Sequence, residues 1–229
     1  MISGDGSIAR RGRKTDLRRR SGMRKQIAIL GGTFDPIHNG HLKLAENAFR
    51  QFRLNEVWFM PAPNPPHKTG RKIEDFTDRA AMVRLAIAPY EGFVCSEFET
   101  QFQGKSYTSE TLTRLTEMYP DTDFYFVVGA DSFYEFGNWH EPETISKLAT
   151  IIVADRDYEK SHSDRDVQEK FLRETFGTRV LFVRAAEVDI SSNHIRRLLR
   201  NGRFRAAAKL LPAPVLDYIR VRRLYADTE

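Results

Sequence analysis

Cysteine is almost missing from this chain: Cys95 is the single thiol in 229 residues. One thiol excludes an internal disulfide and a cysteine-built zinc site, and it fits a reducing cytoplasm. Long apolar runs are missing too. None approaches the ~20 residues needed to span a bilayer, and the arginine-rich start has no apolar segment after it, so neither a membrane anchor nor a secretory signal is expected. No G-x-x-x-x-G-K-[ST] phosphate loop and no G-x-G-x-x-G fingerprint occurs, which removes the two commonest glycine-rich nucleotide motifs. No internal repeat is present.

The net charge of +5 is unevenly placed. Residues 1–22 carry Arg10, Arg11, Arg13, Lys14, Arg18, Arg19 and Arg20 against Asp5 and Asp16. Removing these from 36 basic and 31 acidic residues leaves 29 of each in 23–229, a formally neutral remainder. The leader has too few apolar residues to fold by itself. Three readings of it stand: a disordered extension, an upstream stretch before a start at Met23, or a tether to RNA or a membrane surface. The remaining 23–229 is the length of one well-buried domain, and a hydrophobic fraction of 41% is ordinary for one.

From Met23 onward, strand-like runs alternate with helical patterns. The strands are expected at 26–31, 55–60, 93–98, 123–129, 149–154 and 179–183, with helices near 40–53, 77–88, 108–118, 142–148 and 164–175. Leu42, Ala45, Phe49 and Phe52 recur at helical spacing in the first helix. This alternation predicts an α/β fold: a Rossmann-like, doubly wound parallel sheet with helices on both faces. After the last strand only helices remain, at 191–201, 204–211 and 213–225, so 190–229 is expected as a helical C-terminal part of the same domain. In such sheets ligands sit beyond the carboxyl ends of the strands. The polar motifs obey that rule: a glycine-rich string follows the first strand, the proline loop 61–75 the second, Gly129-Ala130-Asp131 the fourth, and Asp189-Ile190-Ser191-Ser192 the sixth.

The string Gly31-Gly32-Thr33-Phe34-Asp35-Pro36-Ile37-His38-Asn39-Gly40-His41 carries the chemistry. Glycines let a ligand approach the backbone at the strand end. Asn39 is a suitable N-cap for the next helix, whose N–H groups and positive end form an anion site. His38 and His41, three residues apart at that end, can both point at a bound phosphate. Phosphoryl and nucleotidyl transfer need charge stabilisation and alignment more than covalent help. A zinc pair is the competing reading, but His67, His140, His162 and His194 have no metal-like spacing to complete a site.

His38-Asn39-Gly40-His41 resembles the H-x-G-H signature of a nucleotidyltransferase superfamily with a Rossmann-like fold. The longer string resembles that of the bacterial nicotinate-nucleotide adenylyltransferases, and the likeness extends over about residues 26–222. It implies that His41 and His38 are catalytic and that Gly32, Thr33 and Phe34 contact ATP. Asn64-Pro65-Pro66-His67-Lys68 resembles the family's P-P-H-K segment, implying that His67 and Lys68 lie near mononucleotide or reacting phosphates. Ser106-Tyr107-Thr108 resembles its S-Y-T segment, which implies a pyridine-ring pocket using Tyr107 and Thr108; Thr108 or Ser109 can equally cap the third helix. Gly129-Ala130-Asp131 resembles a G-x-D motif that binds ribose, although Asp131 as a helix N-cap is an equal alternative. Trp139 stands where similar enzymes stack an aromatic on nicotinate, with His140 beside it where a second aromatic is common. Ile190-Ser191-Ser192-Asn193-His194-Ile195-Arg196 resembles I-S-S-T-x-I-R, implying that Ser192 and Arg196 hold ATP phosphates; Asn193 replaces the usual threonine. Leu211-Pro212-Ala213-Pro214-Val215-Leu216-Asp217-Tyr218-Ile219 resembles L-P-x-x-V-x-x-Y-I and reads as packing.

The expected activity is transfer of AMP from ATP to nicotinate mononucleotide, giving deamido-NAD and pyrophosphate in NAD biosynthesis. The expected cofactor is Mg²⁺ bound through ATP phosphates and not through side chains. ATP and nicotinate mononucleotide are the expected partners, with neither nucleic acid nor membrane for the core; a homo-oligomer is compatible with the sequence. Two rivals stay open: the same chemistry on another phosphate acceptor, such as nicotinamide mononucleotide or phosphopantetheine, and a non-catalytic nucleotide-binding module.

Overall fold

The computed structural model describes residues 24–63, 73–102, 104, 106–155, 162–184 and 190–226. Six parallel strands form one sheet: β1 (Lys25–Gly32), β2 (Glu56–Pro61), β3 (Phe93–Cys95), β4 (Thr122–Val128), β5 (Ala149–Asp155) and β6 (Val180–Arg184). Their spatial order is β3-β2-β1-β4-β5-β6, so the winding reverses between β1 and β4. The crevice for a ligand is created at that switch.

The strands stay where they are because both faces of the sheet are covered. Successive side chains of β1 alternate: Ala28 and Leu30 enter one core, Ile27 and Ile29 the other. On the first face lie α1 (Asn39–Gln51), α2 (Phe76–Ile87) and the C-terminal α7 (Ser192–Arg200), α8 (Phe204–Ala207) and α9 (Ala213–Arg222). On the second lie α3 (Thr108–Met118), α4 (Ala130–Tyr134), α5 (Pro142–Leu148) and α6 (His162–Phe176). Of the expected stripe, Leu42 and Ala45 are buried, with Ala48 beside them, and Phe49 and Phe52 pack partly buried against the same core. The C-terminal helices form no separate body: Ile195, Leu199, Val215 and Ile219 share the core of α1 and α2.

Three expectations are corrected. β3 ends at Cys95, and the segment predicted to continue it turns into a short 3₁₀ helix at Phe98–Gln101. α8 stops at Ala207 where a helix to 211 was expected. Asn39 is the first residue of α1 and not its cap; His38, with extended backbone, takes the cap position. The Asn39 side-chain amide donates instead to the Lys209 carbonyl at 3.4 Å, and its backbone N–H to the Leu210 carbonyl at 2.9 Å, so this residue serves the turn between α8 and α9.

Candidate active site

A cleft of about 980 Å³ opens at the carboxyl ends of β1 and β4. Gly31 and Gly32 form part of its floor, with His38, His41, Ser192 and Arg196 on the side of the first core and Tyr107, Thr108, Trp139 and His140 on the side of the second. Residues from four separate sequence segments therefore share one cavity.

The string 31–41 is built around its rings. His38 is 5% exposed, and its ring stacks on that of His41 with centroids 3.6 Å apart. A Cβ at Gly40 would lie 3.0 Å from His38 Nδ1, so only glycine leaves room for that ring between the histidines. The His38 N–H donates to His41 Nδ1 at 3.2 Å, which places the neutral His41 proton on Nε2. Burial pushes the His38 imidazole down to about 4. The His38 ring is thus uncharged near neutral pH, and both rings stand at the start of α1.

Phe34 lies outside the cleft lining. Its ring is 2% exposed, packs edge-on against His41 at 5.1 Å, and its backbone takes φ +48°. It props the catalytic ring from below, and a Cβ on Gly32 would meet it at 3.3 Å. The glycine at 32 is thereby required by packing as well as by ligand approach. Thr33 lies outside the cleft lining; its carbonyl accepts from Arg79 Nη1 at 2.7 Å.

At the start of α7, Ser191 caps the helix, its hydroxyl accepting from the His194 N–H at 3.2 Å. The Ser192 hydroxyl donates to the Pro36 carbonyl at 2.9 Å. Its proton is thus directed at the chain, and the anion-binding groups here are the first-turn N–H groups of the helix. Arg196 also differs from expectation. Its guanidinium touches the cleft but is buried, donating to the Asp35 carbonyl, lying 3.6 Å from the Asp35 carboxylate, and donating to Asn193 Oδ1 at 3.1 Å. Asn193, the departure from the usual threonine, holds Arg196 in this pose.

On the other wall, Tyr107 occupies the N-cap position of α3, so Thr108 is its first residue and neither Thr108 nor Ser109 is the cap. Both Tyr107 and Thr108 line the cleft. The Tyr107 ring lies 4.3 Å from that of His140. The Trp139 indole packs against Phe126 and Phe136 and also borders the cleft. Gly129 borders the cleft and caps α4, which leaves Asp131 exposed in the first turn, outside the lining and not an N-cap. His67 and Lys68 fall outside the described residues.

Several residues had no signal in the sequence. Glu99 enters the cleft wall from the 3₁₀ turn, where the Thr111 hydroxyl donates to it at 2.9 Å. Burial pushes its carboxyl up, against the downward pull of bonds from Thr111 and Ser106. Lys43, one turn into α1, also borders the cleft. Asp35 was visible inside the string, but its pairing with residues 40 to 190 positions away was not.

Comparison with known proteins agrees with this geometry. Residues 29–198 match the cytidylyltransferase-like family model. A probable nicotinate-nucleotide adenylyltransferase of Synechococcus sp. (strain JA-3-3Ab) is 40% identical over 210 residues, 90% of this chain and 97% of the relative. That of Citrifermentans bemidjiense is 40% identical over 215 residues, covering 88% and 99%. The solved nicotinic acid mononucleotide adenylyltransferase of Plasmodium falciparum, complexed with NaAD, shares the fold with a TM-score of 0.72 at 21% identity, over 88% of this chain and 97% of that one. With two-fifths identity along nearly the whole of such relatives, this chain belongs to the nicotinate-nucleotide adenylyltransferase family of cytidylyltransferase-like proteins.

Proposed function

We propose that the protein transfers AMP from ATP to nicotinate mononucleotide, giving deamido-NAD and pyrophosphate, as a step in NAD biosynthesis. The observation that carries this is the single cleft holding both the histidine pair of the phosphate end and the Tyr107–Thr108–Trp139 wall. ATP lies with its phosphates over the starts of α1 and α7, where helix N–H groups and the His41 Nε2–H meet negative charge. The pyridine ring sits against Trp139, and the start of α3 favours a carboxylate there. The mononucleotide 5′-phosphate is already ionised at neutral pH, so it attacks the α-phosphorus without a side-chain base. His41 and His38 stabilise the charge that builds on the phosphate oxygens. Backbone N–H groups at Ser192 and the Arg196 guanidinium steady the departing pyrophosphate.

Among the described residues no group of three or more histidine, cysteine, aspartate or glutamate side chains is placed to hold a metal ion. Mg²⁺ bound through the ATP phosphates supplies charge neutralisation at the reacting oxygens. Among the same residues no helix is long and apolar enough to cross a membrane, and a cytoplasmic setting belongs to this proposal.

Pyrophosphate release with nicotinate and nicotinamide mononucleotide, each with ATP and Mg²⁺, tests the reading. The acid is expected to give the higher kcat/KM. Equal use of the amide overturns the acceptor, and no release with either overturns the transfer reaction.

A further inference from the structure

The turn that follows α9 ends under the catalytic string. After α9, Arg223 and Tyr225 adopt left-handed backbone, with φ of +54° and +60°. For bulky residues this is an uncommon conformation. The two bends carry the Tyr225 ring inward until it is 6% exposed. Its hydroxyl donates to Asp35 Oδ1 at 2.9 Å, and its N–H donates to Glu74 Oε1 at 3.2 Å. Glu74 in turn donates its N–H to Asp35 Oδ1 at 3.4 Å, and Arg79 binds the Glu74 and Thr33 carbonyls. Asp35 is 1% exposed and also meets Arg196. The carboxylate three residues before His38 is thus a junction of the strand-one string, the exit of the proline loop, α7 and the chain's final turn.

We propose that Tyr225 is a positioning residue for AMP transfer, acting through Asp35 to hold the His38–His41 segment in register with the start of α7. Burial and the adjacent Asp35 carboxylate push its phenol far above the usual range, so it stays a donor at every working pH. Nothing in the cleft lining includes Tyr225, and its influence on the reaction runs through the position of the string. Loss of that hydroxyl leaves one Asp35 oxygen short of a donor and frees the turn to shift. A shift of ~1 Å at a reacting group can cost up to 10²-fold in rate. The effect belongs to turnover, because the histidines act on charge that develops during the reaction.

This inference rests on the activity proposed above, and the experiment separates the two. Wild type, Tyr225→Phe, Asp35→Asn and the double variant are assayed for pyrophosphate release at 25 °C with both substrates varied, and their Tm values are recorded. Tyr225→Phe, which keeps the ring, is expected to lose about tenfold in kcat with each KM within about twofold of wild type. The double variant is expected to be no slower than Asp35→Asn alone, the non-additivity of residues acting through one another. Wild-type kcat in a folded Tyr225→Phe protein, with only Tm lowered, overturns the proposal, as does full additivity of the two substitutions. An inactive wild type overturns the functional reading instead.

Discussion

The His38 N–H donates to His41 Nδ1 at 3.2 Å while the two rings stack 3.6 Å apart. The bond determines a tautomer. A neutral His41 that accepts at Nδ1 carries its proton on Nε2, and protonating Nδ1 would bring two donors face to face. With Nδ1 engaged in this way, the His41 ring is left with an Nε2–H donor.

His41→Ala is expected to reduce kcat by 10²–10³-fold, about 2.7–4 kcal/mol, the range for removing one donor from a developing oxyanion. Since His41 is only half-buried, its loss should move Tm little. Steady-state kinetics on protein with a wild-type melting curve check this; near-wild-type kcat would remove His41 from the mechanism.

His38 makes stability pH-dependent in a defined direction. Its folded value of about 4 lies below the ordinary 6.5, so between these values the unfolded chain binds a proton that the native chain does not. Stability is then full above pH 6.5 and falls as pH drops toward 4. The gap corresponds to about 3 kcal/mol over the window, at 1.36 kcal/mol per pH unit. Urea denaturation between pH 4 and 7 is expected to show this slope reduced in His38→Asn, while an identical slope in the variant would assign the effect to other groups.

Much of the architecture was legible because burial leaves a period in the sequence. The apolar runs of β1, β4 and β5 and the Leu42–Ala45 stripe gave strands, helix and sheet type. The cleft was legible because its motifs fall after strands. What stayed hidden was what each polar side chain pairs with. Arg196 read as a phosphate ligand, but its bonds to Asp35 and Asn193 had no signal in the sequence. Asn39 read as a helix cap because nothing local betrays Lys209, whose carbonyl takes its side-chain amide. The inward ring of Phe34 was hidden because a one-residue left-handed turn has no signature when the residue is not glycine. Arg79, 2% exposed, was indistinguishable from a solvated helix charge. Long-range partners, not local propensity, decided each of these.

Glu99 is expected to act on the mononucleotide alone. It accepts from Thr111 on α3 and supports the wall that carries Tyr107 and Thr108. Glu99→Gln keeps the shape but replaces a charged acceptor with a neutral one, weakening those bonds by about 1 kcal/mol. The expected outcome is a roughly fivefold rise in KM for nicotinate mononucleotide, with KM for ATP unchanged. Equal rises for both substrates would make Glu99 a general structural residue and not part of one wall.

Metal removal separates a substrate-borne ion from a chain-bound one. With no group of three or more ligand side chains converging among the described residues, Mg²⁺ is expected to arrive on the ATP phosphates. A chelator should then abolish pyrophosphate release, and excess Mg²⁺ should restore it. Tm in the absence of ATP should be the same with chelator and with Mg²⁺. Adding Mg²⁺ and ATP together should raise Tm, because a ligand at 100 times its Kd stabilises the native state by about 2.7 kcal/mol. A rise in Tm with Mg²⁺ alone would instead mean that side chains of this protein hold the ion before the nucleotide binds.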